Sequence, residues 1–164
     1  MNKEEIMKRV EQVEEELSRL KRVLYDPETK FEPEVGDEYW FIDSEGDIIS
    51  AVWTNAGIDK SRNKLHNCYP AIELAIKQLK RNHIKCALED IAERLNAGKS
   101  IDWSDITQSK YYLIYKHYEE ELYIDTINYK RQAQGVIYCL SENFLEEAIE
   151  EIGEQELINY IKGE

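Results

Sequence analysis

Two histidine–cysteine pairs come closest, by type and spacing, to a metal site. One residue separates His66 from Cys68 and two separate His83 from Cys86, and tetrahedral zinc takes four such ligands. Against zinc, Cys68 has a counterpart in Cys139, which no histidine accompanies. Cys86 follows Leu79 by one heptad on an apolar stripe. All three cysteines therefore read as small core residues, with no metal bound. Other chemistries lack their marks. There is no Gly-x-Ser-x-Gly elbow, no glycine-rich phosphate loop and no His-Glu-x-x-His. Glu119, Glu120 and Glu121 read as a solvated turn, and no carboxylate pair stands out from the acidic background. The chain is expected not to be an enzyme and to need no cofactor.

What remains is charge and aromatic surface. The net charge is -13, and residues 1–25 contribute none of it, holding 6 acids and 6 bases. Asp26 to Asp47 holds 9 acids against Lys30 alone, and Glu142 to Glu164 holds 8 against Lys162 alone. Such a surface repels phosphate backbones, so direct DNA binding is not expected. It suits a basic protein partner, or solubility alone. The densest carboxylates, Glu146, Glu147, Glu150 and Glu151, are the partner-binding candidates. Trp103, Tyr118 and Tyr129 join them, because they fall in turns and loops and such rings suit interfaces or stacking on bases. Trp40 and Trp53 fall in strands and read as core. Arg62 and Arg131 are the candidates to hold the phosphates of a nucleotide.

The elements that carry these groups follow from periodicity. Ile6, Val10, Val13, Leu17, Leu20 and Leu24 recur at alternating steps of four and three, an a/d seam that predicts a coiled-coil oligomerisation helix over 1–25. In a parallel dimer Arg9 faces Glu14 and Glu16 faces Lys21, opposite in sign each time. An amphipathic helix packed on its own domain has the same pattern. Pro27 stops the helix, and 26–36 reads as an acidic linker. No apolar run approaches the roughly 18 residues of a membrane span, and the charged start shows no signal peptide. Three irregularly spaced cysteines suit a reducing, cytoplasmic setting.

The remainder reads as one pattern written twice. Tyr39–Ile42, a turn at Ser44–Asp47 and Ile48–Trp53 predict a hairpin. A polar loop over 55–63, a short strand over 64–69 and a helix from Pro70 to about Asn96 follow. The second copy has strands at Tyr111–Ile114 and Leu122–Ile127, a loop with Asn128 and Arg131, and a third strand over 135–140. Ser141 then caps a helix that breaks at Gly153, with a short terminal helix beyond. Matching residues lie 71 to 73 apart, as with Tyr39 and Tyr111 or Cys68 and Cys139. The expected fold is α+β: an N-terminal coiled-coil helix, then two tandem β-β-β-α units with antiparallel sheets, at 37–98 and 99–164.

Several of these residues carry a resemblance. Gly36-Asp37-Glu38-Tyr39-Trp40-Phe41-Ile42, with Trp53, Arg62, Asn67 and Glu73-Leu74-Ala75-Ile76, resembles small accessory proteins encoded by phages and prophages of Gram-positive bacteria. Trp103, Lys110-Tyr111-Tyr112 and the ending Ala148-Ile149-Glu150-Glu151-Ile152-Gly153 match the same family's second half. The chain departs from it at Pro70-Ala71, where Lys-Thr is usual. The resemblance covers about 35–162 and implies a phage accessory gene rather than a chemistry.

The function expected is non-enzymatic: a homo-oligomer, as a dimer, that binds and inhibits or sequesters a host protein in the host cytoplasm. Its acidic segments would occupy a basic surface such as a defence enzyme's nucleic-acid channel. The alternatives are a sponge for a nucleotide signal and a virion structural or assembly protein. An apolar seam does not tolerate unpaired charge. Replacing Leu17→Asp and Leu20→Asp together should therefore reduce the light-scattering mass to that of a monomer while circular dichroism keeps the signal of 36–164. Continued oligomerisation would exclude the arm as the interface.

Overall fold

The computed structural model describes Met7, Arg9, Val13, 31–128 and 132–163. The three described residues of the N-terminal arm are helical and exposed, and Val13 has 59% of its surface free. The other seam positions, Ile6, Val10, Leu17, Leu20 and Leu24, lie outside the described residues, as do Tyr129 and Arg131. The architecture is mixed α+β, with two small antiparallel sheets of two strands each and four helices among the described residues. The chain divides into two compact units, Met1–Leu79 and Lys80–Glu164.

In the first unit, β1 (Glu38–Ile42) pairs with β2 (Ile48–Val52) so that Tyr39 faces Ala51 and Phe41 faces Ile49. Asp43 shapes the turn: its Oδ1 accepts the backbone N–H groups of Glu45 and Asp47, each at 2.9 Å. Gly46 takes φ +88°, which costs glycine little. Period-two alternation sends Tyr39 and Phe41 to one face, where they form a core with Trp53 and Cys68. The segment 55–63, expected as an irregular loop, is instead largely helical: α1 spans Gly57–Lys64. Asp59, three residues into the turn, accepts the Ala56 N–H at 3.1 Å and so satisfies a donor that the helix start leaves open. The expected strand over 64–69 reduces to a single bridge, in which Trp40 and Tyr69 exchange N–H···O bonds of 2.8 Å. Asn67 adds a rung with its side chain, which accepts from the Ile42 N–H at 2.9 Å and donates to the Ile42 carbonyl at 2.6 Å.

The long helix α2 (Ile72–Asn96) agrees with its expected span. Its use differs. Ile84, Leu88, Ile91 and Ala92 belong to the core of the second unit, so the C-terminal half of α2 is that unit's central helix. Cys86, expected in the core, is exposed, and Ile76 is 50% exposed. The buried stripe at 84, 88, 91 and 92 runs in steps of four, three and one, and residue 86 falls on the opposite side.

In the second unit β3 (Lys110–Lys116) pairs with β4 (Glu121–Ile127), placing Leu113 opposite Ile124 and Tyr115 opposite Leu122. The expected third strand over 135–140 is again one bridge, Tyr111 with Cys139. Asn96, at the end of α2, accepts the Leu140 N–H at 2.7 Å and holds this segment in place. Ser141 does not cap the next helix directly. Its carbonyl and hydroxyl organise a turn over 142–143, and α3 runs Phe144–Ile152. Gly153 then takes φ +95° and ψ 139°, a conformation that a side chain disfavours, and α4 (Glu154–Lys162) leaves in a new direction. Phe144, Ala148 and Leu157 from these helices close the core.

Cys68 and Cys139 are buried and Cys86 is not. Cavity formation at a buried site should cost about 1 kcal/mol for each of Cys68→Ala and Cys139→Ala. Cys86→Ala should fall within roughly 0.5 kcal/mol of the parent. Urea melts under reducing conditions will test this, and equal effects at all three positions would contradict the burial pattern.

Candidate functional site

On α3 the apolar residues Phe144, Leu145, Ala148, Ile149 and Ile152 face the core, which leaves four glutamates to the remaining surface. Helical spacing sorts them into two pairs, 146 with 150 and 147 with 151, each one turn apart. Arg94, from the last turns of α2, reaches the second pair. Its Nη2 donates to Glu147 Oε2 at 3.0 Å and also to Glu151. The two carboxylates raise the guanidinium pKa further above its ordinary value, Glu151 contributing most. Glu146 and Glu150 are exposed and have no cation partner among the described residues. The four candidates thus divide into a structural pair and a free pair.

The aromatic candidates divide as well. Trp103 is half-buried, edge-on to Tyr138 with ring centroids 5.0 Å apart, and Tyr138 lies 5.4 Å from Tyr112. The loop that carries Trp103 is held from below by Lys110, which is fully buried. Its Nζ donates to the carbonyls of Asp105 at 3.0 Å and Gln108 at 2.7 Å, and lies 5.6 Å from the Trp103 ring. Two tight side-chain turns finish the loop. Asp102 accepts from the Ser104 hydroxyl at 2.6 Å and N–H at 2.8 Å, and Asp105 does the same with Thr107. These bonds, the hydroxyls first, hold both carboxyls below the usual range. Trp103 is therefore a fixed part of the unit. Tyr118, by contrast, stands 99% exposed at the tip of the second hairpin.

Arg62, a candidate for nucleotide phosphates, is engaged inside the first unit. Its guanidinium carbon sits 3.5 Å from the centre of the Phe41 ring, and its Nη1 donates to the Tyr39 hydroxyl at 2.9 Å. Tyr39 in turn donates to Asp59 Oδ1 at 2.8 Å. The other oxygen of Asp59 accepts from the Thr54 hydroxyl at 2.8 Å and the Thr54 N–H at 2.9 Å. These bonds, led by the Thr54 hydroxyl, bring the Asp59 pKa down to about 2. Burial raises the Tyr39 pKa, with the Arg62 bond opposing it.

Of the metal-site residues, His66 is exposed at a left-handed φ of 56°, while burial pushes the Cys68 thiol up to about 11. A thiol so placed stays protonated at neutral pH and is a poor nucleophile. His83 and Cys86 are exposed on α2, and no group of three metal-ligating side chains converges among the described residues. Asp59, Arg94 and Lys110 organise their surroundings although none was a candidate from sequence. Only Asp59 had a local signal, its place five residues after Thr54 at a helix start.

No protein-family profile, curated protein or solved structure matches the chain.

Because the folded Asp59 pKa lies below that of an ordinary aspartate, its contribution to stability is complete above about pH 4 and is lost as pH falls toward 2. Asp59→Asn should lower stability at pH 7 and flatten the decline on this acid limb. Urea melts from pH 7 to pH 2, followed by the fluorescence of Trp40 and Trp53, measure both. An unchanged acid limb would show that other carboxylates govern it.

Proposed function

We propose that the protein is a non-enzymatic phage accessory factor that works in the host cytoplasm by occupying a basic surface on a host protein. The observation that supports this reading is the division of the α3 glutamates. Arg94 pairs with both Glu147 and Glu151 and offsets part of their charge, whereas Glu146 and Glu150 present two carboxylates one turn apart on a helix anchored by its opposite side. Two negative charges on a rigid element stand in for successive phosphates and steer a basic partner through long-range attraction. The fully exposed Tyr118 supplies an aromatic contact elsewhere on the same unit. No helix of the described residues is long and apolar enough to cross a membrane, which accords with this reading. For the nucleotide-sponge alternative, Arg62 is already bonded to Tyr39 and covers Phe41, while Arg131 lies outside the described residues.

The architecture proposed with this function is a dimer, joined through the 1–25 arm, of tandem β-β-β-α repeats. A single bridge between the first strand and the segment before the next helix recurs in both units, as Trp40 with Tyr69 and Tyr111 with Cys139. The residues just before the bridged strand positions, Tyr39 and Lys110, are both fully buried with polar tips.

Affinity capture from a host lysate should identify a basic partner. Against that partner, Glu146→Gln with Glu150→Gln should slow association by roughly tenfold at low salt and flatten its salt dependence. Glu147→Gln with Glu151→Gln removes the same formal charge and should slow it less. Equal effects would reduce the site to net charge, and no effect of the first pair would reject it.

A further inference from the structure

We propose that the second unit holds a binding site for a small carboxylate with an apolar body, separate from the acidic face of α3. A cavity of about 260 Å³ lies within this unit. Apolar side chains contribute much of its wall: Leu88 from α2, Leu113 from β3, Val136 from the segment before α3, Phe144 from α3 and Ile161 from α4. These side chains offer dispersion contacts to an apolar body of matching size. At about 30 Å³ for each water-sized group, there is room for roughly eight. That is a short chain or a single ring, below the usual range for a cofactor site.

One charged side chain lines the same cavity. Arg81, half-buried on α2, lies with its guanidinium carbon 5.4 Å from the centre of the Tyr160 ring, and Tyr160 is also a wall residue. It has no carboxylate within ion-pair distance among the described residues. Its neighbours in the unit differ: Lys80 pairs with Glu156, Lys85 with Glu89, Arg94 with Glu147 and Glu151, and Lys116 with Glu119. A guanidinium cannot discharge by losing its proton, and its planar fork matches a carboxylate. Apolar walls for the body and Arg81 for the head thus define one ligand chemistry. The site does not depend on the proposed host partner, since it uses neither Glu146 nor Glu150.

Octanoate, octanol and acetate probe the two halves of this chemistry. In titrations of the full-length protein at pH 7, octanoate should bind saturably at one site per chain. Octanol should bind at least tenfold more weakly, and acetate should not bind. Amide NMR shifts induced by octanoate should centre on Val136, Leu113 and Ile161. Arg81→Gln should bring octanoate down to the affinity of octanol while leaving octanol unchanged. Val136→Trp should block both, and the Arg81 variant carries the test if the tryptophan variant does not fold. The proposal is overturned if octanoate does not saturate, if octanol binds equally well, if Arg81→Gln binds like the parent, or if the shifts centre elsewhere.

Discussion

A buried polar group must be hydrogen-bonded, and each hairpin begins with one that meets this demand by organising the chain beside it. Tyr39 is fully buried, and its hydroxyl is bonded to both Asp59 and Arg62. Those two residues lie on α1, so satisfying the hydroxyl also seats that helix. Lys110 is fully buried in the other unit, and its ammonium is bonded to two carbonyls of the loop before it. Satisfying Lys110 therefore fixes the loop that carries Trp103. In both units irregular backbone acquires a definite path because a strand residue needs a partner. Apolar packing alone would leave these segments less well specified, since it has no direction.

The same economy of partners shapes the electrostatics. With 34 acids against 21 bases, not every carboxylate can have its own cation, and geometry decides which ones do. Arg94 stands at the point on α2 from which two glutamates one turn apart on α3 can both be reached. The result strengthens the contact between the two helices only modestly, because all three groups are half-exposed and solvent screens them. It also leaves Glu146 and Glu150 as the two of these four glutamates with no cation partner among the described residues. Arg81 is the reverse case, a base with no acid in ion-pair distance among the described residues, beside a cavity lined largely by apolar side chains.

The long helix links these observations. Its stripe of Ile84, Leu88, Ile91 and Ala92 is the centre of the second unit's core, and Arg81, Arg94 and Asn96 project from the same stretch. One side of half a helix thus contributes the core, while its margins contribute a cavity arginine, an ion pair and a clamp on the Cys139 segment. A helical repeat of 3.6 residues allows this, since residues on adjacent stripes meet different neighbours.

Local rules made several elements legible from sequence alone. The two hairpins follow from alternation and a turn, the span of α2 from its periodicity and the Asn96-Ala97-Gly98 ending, and the break between α3 and α4 from Gly153. Each depends on residues within a few positions of one another. Helix α1 escaped notice because its stabilising groups are partly remote: Thr54 and Asp59 are close in sequence, but Tyr39 is 20 residues from Asp59. The exposure of Cys86 escaped for a related reason, since a heptad drifts around a straight helix and only the partner surface shows which stripe is buried. Likewise the glutamates of α3 are equivalent in sequence, and Arg62 and Arg81 each sit among lysines with nothing local to tell them apart. Tertiary structure gave two glutamates to Arg94, bound Arg62 to Tyr39 and left Arg81 at a cavity, because side chains distant in sequence compete for partners only once folding has brought them within reach.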